Sequence, residues 1–240
     1  MDNNFSANQH RAFLTDEQIR AEQASFMTKV YGWMSLALIV TGVVAFYIAS
    51  NEGLILTFIV NRFVFYACVF GELGVVWWLS SRVRDMSANT ATLWFFLYAI
   101  LNGITLSVIF LVYTMGSIAS TFFITAGTFA VMSAYGYFTK TDLTSWGNIL
   151  FMALIGLIIA GVVNIFWQNN LFGMIVSGIG VLVFVGLTAY DTQKIKEMNI
   201  IGNEGTDEDR KEAVMGALTL YLDFINLFIF LLRLMGGRRN

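Results

Sequence analysis

Three ionisable residues stand inside apolar sequence. They are Glu72 in 63-FVFYACVFGELGVVWWLSS-81, Asp191 in 186-GLTAYDTQKIK-196 and Asp223 in 218-LTLYLDFINLFIFLLRL-234. A carboxylate held away from water needs a partner or a proton. Inside a membrane such groups are costly, usually face a bundle interior, and often mark ion or proton paths. Asp223 is the sharpest of the three, because long apolar stretches flank it on both sides. Thr219, Asp223 and Asn226 follow at i, i+4 and i+7, which puts one polar stripe on a greasy helix. Asn226 therefore joins Glu72 as a candidate ion-path residue. Asp191 closes the sixth apolar run, where an aspartate can simply meet water. For Glu72 two readings stand: it lines a pore, or it hydrogen-bonds to a neighbour such as Asn102.

If Asp191 and Asp223 meet, their chemistry is defined. Two close carboxylates in a low dielectric share a proton, and their titration belongs to the pair. Protonated, the pair ties two helices together. Fully ionised, it repels and opens. That is a pH sensor. Arg82 or Arg84, at the end of the second apolar run, is placed to compensate the charge. The same oxygens attract a hard cation such as calcium, so Asp191 and Asp223 are also the transient metal ligands of this reading. No resident cofactor is expected; calcium enters as a permeant ion.

Stepping out to the whole chain, 57% of its 240 residues are hydrophobic, 12% are charged and none is proline. Soluble domains carry about twice that share of charge. The expectation is an all-α integral membrane protein with the lipid bilayer as its solvent. Residues 1–29 read as a polar tail, and residues 30–236 as the transmembrane domain. Its seven apolar runs lie at 30–49, 63–81, 93–113, 118–138, 149–167, 171–190 and 213–234, followed by a short tail at 237–240. Most of the fourteen Lys and Arg residues fall in the first tail and in the second–third, fourth–fifth and sixth–seventh connections. That asymmetry places the N-terminus in the cytoplasm. Seven full spans put residue 240 outside. Arg233, Arg238 and Arg239 pull the other way, which keeps a re-entrant last segment as an alternative. Rows of small residues suit close helix packing: Gly156, Ala160 and Asn164; Gly173 and Ser177; Thr121 and Thr125.

Several function classes drop out. The single cysteine, Cys68, and the single histidine, His10, cannot build a zinc site together with the tail. No basic, aromatic surface for nucleic acid is present. The lone 178-GIG-180 is no phosphate loop. Two membrane aspartates invite comparison with an intramembrane aspartyl protease. Asp223 follows Leu220, Tyr221 and Leu222 instead of Gly-x-Gly, and the Pro-Ala-Leu element that such enzymes need is excluded by the absence of proline. No enzyme is expected.

The segments 186-GLTAYDTQKIK-196 and 216-GALTLYLDFINLFIFLLRLMG-236, with 139-TKTDLTSWGN-148 and 151-FMALIGLIIAGVVNIF-166, resemble the Bax inhibitor-1 family of transmembrane Bax-inhibitor-motif proteins. The likeness covers nearly the whole chain and looks bacterial, which implies a multi-pass protein of the bacterial inner membrane. It implies a seven-helix bundle with the last helix surrounded by the other six. It implies a di-aspartyl pH sensor at Asp191 and Asp223 that controls a slow calcium leak. It further implies an arginine latch, for which Arg82 and Arg84 flank the expected place, and a cation-path glutamate at Glu72.

Two alternatives differ in class. One is an interaction protein that restrains a membrane-bound protease complex, as some bacterial relatives do. Its handles would be the tail or the acidic loop with Glu204, Asp207, Glu208 and Asp209. The other is a proton-coupled transporter, for which the sequence offers no convincing internal repeat.

Overall fold

Every long helix starts on a small polar residue, and that is how a chain without proline sets its boundaries. In the computed structural model, which describes residues 15–167 and 169–239, α1 runs over Asp16–Ser50. Thr15 caps it with a reciprocal bond to Gln18, a capping box. Asn51 caps the short α2 (Glu52–Val60) and Asn61 caps α3 (Arg62–Arg82). A single 3-10 turn at 83–85 leads to Ser87, the cap of α4 (Ala88–Leu106). After the one-turn α5 (Ile109–Val112), Thr114 caps α6 (Met115–Phe138). The last three helices are α7 (Thr144–Trp167), α8 (Asn170–Met198) and α9 (Asp207–Met235). Asp142 Oδ1 takes the Thr144 N–H at 2.8 Å, Asn169 Oδ1 that of Phe172 at 3.0 Å, and Thr206 Oγ1 that of Asp209 at 3.2 Å.

Seven helical segments are long and apolar enough to cross a membrane, so the protein is an all-α membrane bundle. The most buried is the last. Of its apolar stretch 67% is buried, against 11–39% in the other six. Tyr221 and Leu227 in α9 are fully buried.

The chain divides into two compact units, Met1–Val108 with Ile195–Leu218, and Ile109–Lys194 with Thr219–Asn240. In the first, α1 packs along α4, and α4 along α3. The α1–α4 crossing is close. Thr41 Oγ1 donates to the Ala99 carbonyl at 2.9 Å, and a Cβ at Gly103 would stand 2.7 Å from the Thr41 carbonyl oxygen. In the second unit, Leu157, Val176, Val183, Phe184, Leu187, Leu227 and Leu231 form the apolar core.

The helices outrun the apolar runs. α1 begins at Asp16, well inside the polar stretch read as a tail, and His10 lies outside the described residues. The reason is local: this overhang rests on the 199–209 segment. Ser25 Oγ meets Glu204, Lys29 Nζ meets Asp209 Oδ2 at 2.7 Å, and Gly202, at φ 92°, gives its N–H to Glu22 Oε1 at 2.7 Å. Polar contacts hold a helix as well as lipid does, but they leave no hydrophobic period in the sequence. α8 likewise continues to Met198, so Asp191 lies inside the helix, about two turns from its end, and not at its terminus.

α9 is one unbroken helix, and residues 236–239 turn back onto the connection before α6. Tyr113 and Arg238 form an isolated antiparallel bridge. The Thr114 N–H reaches the Gly237 carbonyl at 3.1 Å, and the Arg239 N–H the Val112 carbonyl at 2.9 Å. A continuous helix of this length and hydropathy is able to cross a membrane in full.

Asp142 gives a simple test of the α7 start. Bonds from the Thr144 hydroxyl and N–H hold its carboxyl below the usual carboxylate range. The stabilisation is therefore complete above the ordinary aspartate pKa and fades as pH falls through the lowered one. Titrated by NMR, Asp142 should protonate below an unstructured aspartate, and Thr144→Val should move it back up.

Candidate functional site

Asp223 is 4% exposed in the middle of α9. The residue after it, Phe224, is held by two rings of α6, Phe122 and Phe129, each at 5.5 Å between centroids and edge-on. Phe122 also meets Phe228 one turn on. This aromatic clamp fixes the α9 face that carries the carboxyl.

Asp191 comes from α8, and its sequence neighbours on both sides are anchored. Gly136 of α6 lies directly under the Ala189 backbone, and Gly147 of α7 under the Tyr190 ring. The Thr192 hydroxyl bonds Ser133 at 2.9 Å. The Gln193 amide clips the 139–143 connection twice, taking the Leu143 N–H and giving to the Thr141 carbonyl, both at 2.9 Å. With so little freedom left at 189–193, the Asp191 side chain is aimed by its surroundings.

The result is a carboxyl pair: Asp191 and Asp223 share a side-chain hydrogen bond. A hydrogen bond between two carboxyls needs a proton on one of them. Oδ2 of Asp223 is buried, and among the described residues no ordinary donor reaches it. An orphan oxygen in a dry site is costly, and it is open to a proton or a cation. One helical turn from Asp191, Lys194 faces the pair, its Nζ 5.5 Å from the centroid of the Tyr190 ring.

The other sequence candidates are placed as follows. Asn226 spends its amide N–H on its own helix, on the Leu222 carbonyl at 2.8 Å. Glu72 belongs to the first unit and is half-buried. It accepts from Thr105 Oγ1 at 2.6 Å and Asn102 Nδ2 at 3.2 Å, so it bonds the neighbour that the sequence suggested, and Thr105 besides. Arg82 lies over the Trp78 ring at 5.5 Å and 3.8 Å from Asp85, both on its own stretch of chain. Arg84 sits in the 3-10 turn, and its side chain lies outside the described residues. Among the small-residue rows, Thr121, Thr125 and Ser177 are buried, but a Cβ at Gly156 would meet nothing within 4 Å.

Sequence reasoning missed the residues that aim the pair: Ser133, Gly136, Gly147 and Gln193. A signal existed for some of them. Ser133 and Gly136 are small residues three apart, which puts them on one face of α6. Gln193 gave none, because a glutamine near a helix end reads as solvated.

Comparison with known proteins agrees with this architecture. The family described as "Inhibitor of apoptosis-promoting Bax1" matches residues 23–240. Inner membrane protein YbhL of Escherichia coli is 49% identical over 92% of this chain and 95% of its own length. An uncharacterised protein of Borreliella burgdorferi is 46% identical over 90% of this chain and 93% of its own. Protein RP147 of Rickettsia prowazekii, also uncharacterised, is 45% identical over 90% of both. With its seven apolar spans and a match across nearly all of its length, the chain belongs to the Bax inhibitor-1 family of multi-pass membrane proteins.

Proposed function

We propose that the protein is a pH-sensitive cation leak, for calcium in particular, gated by the Asp191–Asp223 pair. The observation that carries this reading is the pair itself: two membrane carboxyls in side-chain contact, with a buried Asp223 oxygen that no ordinary donor reaches. While they share a proton, α8 and α9 are tied. Loss of that proton leaves two anions in contact in a low dielectric, and the helices separate. Among the described residues, the charged groups facing the pair are each other and Lys194. Calcium would use the freed oxygens in passing. Two carboxylates make a transit point, and among the described residues no group of three or more candidate ligands is assembled.

The E. coli relative is described as an inner membrane protein. Together with the Lys and Arg asymmetry, this supports a bacterial inner membrane location with the N-terminus in the cytoplasm. Nothing in the acidic loop favours the protease-restraining alternative. Glu204 and Asp209 are spent on Lys29, Asp207 accepts the Ala88 N–H at 3.0 Å, and Glu208 pairs with Lys211.

The test is calcium efflux from liposomes against pH. Wild type should change rate across the mildly acidic to mildly alkaline range, at most about tenfold per pH unit for one shared proton. Asp223→Asn keeps a hydrogen bond but cannot ionise, so the response should flatten. Efflux equal to that of empty liposomes at every pH would overturn the proposal.

A further inference from the structure

The three arginines that sit awkwardly with the charge asymmetry, Arg233, Arg238 and Arg239, direct attention to the far end of α9. There the second unit contains a cavity of about 630 Å³, within the range of small-ligand sites. Its charged lining residues are Arg233 at the end of α9 and Arg238 in the returning strand, with no aspartate or glutamate among them. Among the described residues neither arginine lies within salt-bridge distance of a carboxylate. Arg238 is held in place by its backbone bridge to Tyr113, and Gly237 by the Ser117 hydroxyl at 2.8 Å. Two guanidiniums with no carboxylate near them among the described residues suit an anion, and their forked donors match a phosphate.

Asn164, Asn169 and Ser177 complete the polar wall. Asn169 uses its oxygen on the Phe172 N–H, which leaves its amide hydrogens for a ligand. The adjacent first turn of α8 adds its positive dipole end. Asn164 stands against Gly173, and the Ser177 hydroxyl gives its hydrogen to the Gly173 carbonyl at 2.8 Å, so this wall presents polar groups and no negative charge. Phe166 and Trp167, 84% and 71% exposed at the end of α7, mark the depth as that of lipid headgroups.

We infer that this cavity binds an anionic phosphate ester. The same chemistry occurs in a glycerol-bearing phospholipid and in a soluble phosphate ester such as glycerol phosphate.

The experiment uses the full chain in a neutral detergent. Melting temperature and native mass spectra are followed as three probes are titrated: a short-chain phosphatidylglycerol, glycerol 3-phosphate, and the matching phosphatidylcholine. Saturable stabilisation by the first two, with the zwitterionic phosphatidylcholine weaker, supports the inference and shows that an anionic phosphate suffices. A response to phosphatidylglycerol alone supports it and makes the membrane the source. The variant Arg233→Gln/Arg238→Gln should bind at least about tenfold more weakly, and Arg233→Lys/Arg238→Lys should fall between. Both arginines are exposed, so the double variant should fold, and its unliganded melting temperature checks this. The inference is overturned if no probe gives a saturable response, if the arginine double variant binds as wild type does, or if phosphatidylcholine binds equally well.

Discussion

Replacing Lys29 with methionine should cost the folded state about 3 kcal/mol. Asp209 is 2% exposed in the first turn of α9, with the Lys29 ammonium at 2.7 Å and the Gly205 N–H at 2.9 Å on the same oxygen. Removing the lysine strands a buried carboxylate, and that desolvation penalty dominates. Lys29 is itself about one-third exposed, which keeps the expected cost at the low end for such pairs. Asp209→Asn should cost less, because it removes the charge along with its partner. In the double variant, Lys29→Met/Asp209→Asn, much of the loss should return. Reversible unfolding in mixed micelles gives all three values. A Lys29→Met cost within about 0.5 kcal/mol, the ordinary range for surface changes, would mean that water solvates Asp209 after all.

The second large effect is expected at Gly136. A Cβ there would be driven into the carbonyl oxygen of Ala189. That oxygen is backbone, so it cannot swing aside as a side chain would. Gly136→Ala must push α6 and α8 apart, at about 2–3 kcal/mol, the upper part of the range for overpacking. It should also disturb the Ser133–Thr192 bond and tilt Asp191, two residues beyond the contact. The pH midpoint of efflux should therefore shift although no charge has changed. Gly156→Ala is the control, since its Cβ meets nothing within 4 Å and its stability should stay within about 0.5 kcal/mol of wild type. A Gly136→Ala protein as stable as wild type would show that the two backbones do not approach this closely.

The legibility of the chain follows from which forces leave a pattern. Burial in lipid leaves long apolar runs, and all seven spans were visible for that reason. A carboxyl in such a run is conspicuous, so Asp223 was readable alone and Asp191 through the family motif that surrounds it. Polar scaffolding leaves no period. The overhang of α1 from Asp16 to Lys29 looked like a tail because its partners, Glu204 and Asp209, lie far away in sequence. The small-residue rows show the same limit from the other side. Spacing marked Gly156, which touches nothing, and passed over Gly136, on which α8 rests, because spacing cannot say which face meets a neighbour.

The unbroken course of α9 has a mechanical consequence. Asp223 and Arg233 are carried on one rod, separated by about 15 Å of helical rise. No proline or bulge divides it, so an axial slip or a twist at one of these residues is delivered to the other, as along an axle. Sites geared this way obey reciprocity. Whatever factor an anion at Arg233 applies to the proton affinity of the pair, the proton applies to the affinity for that anion.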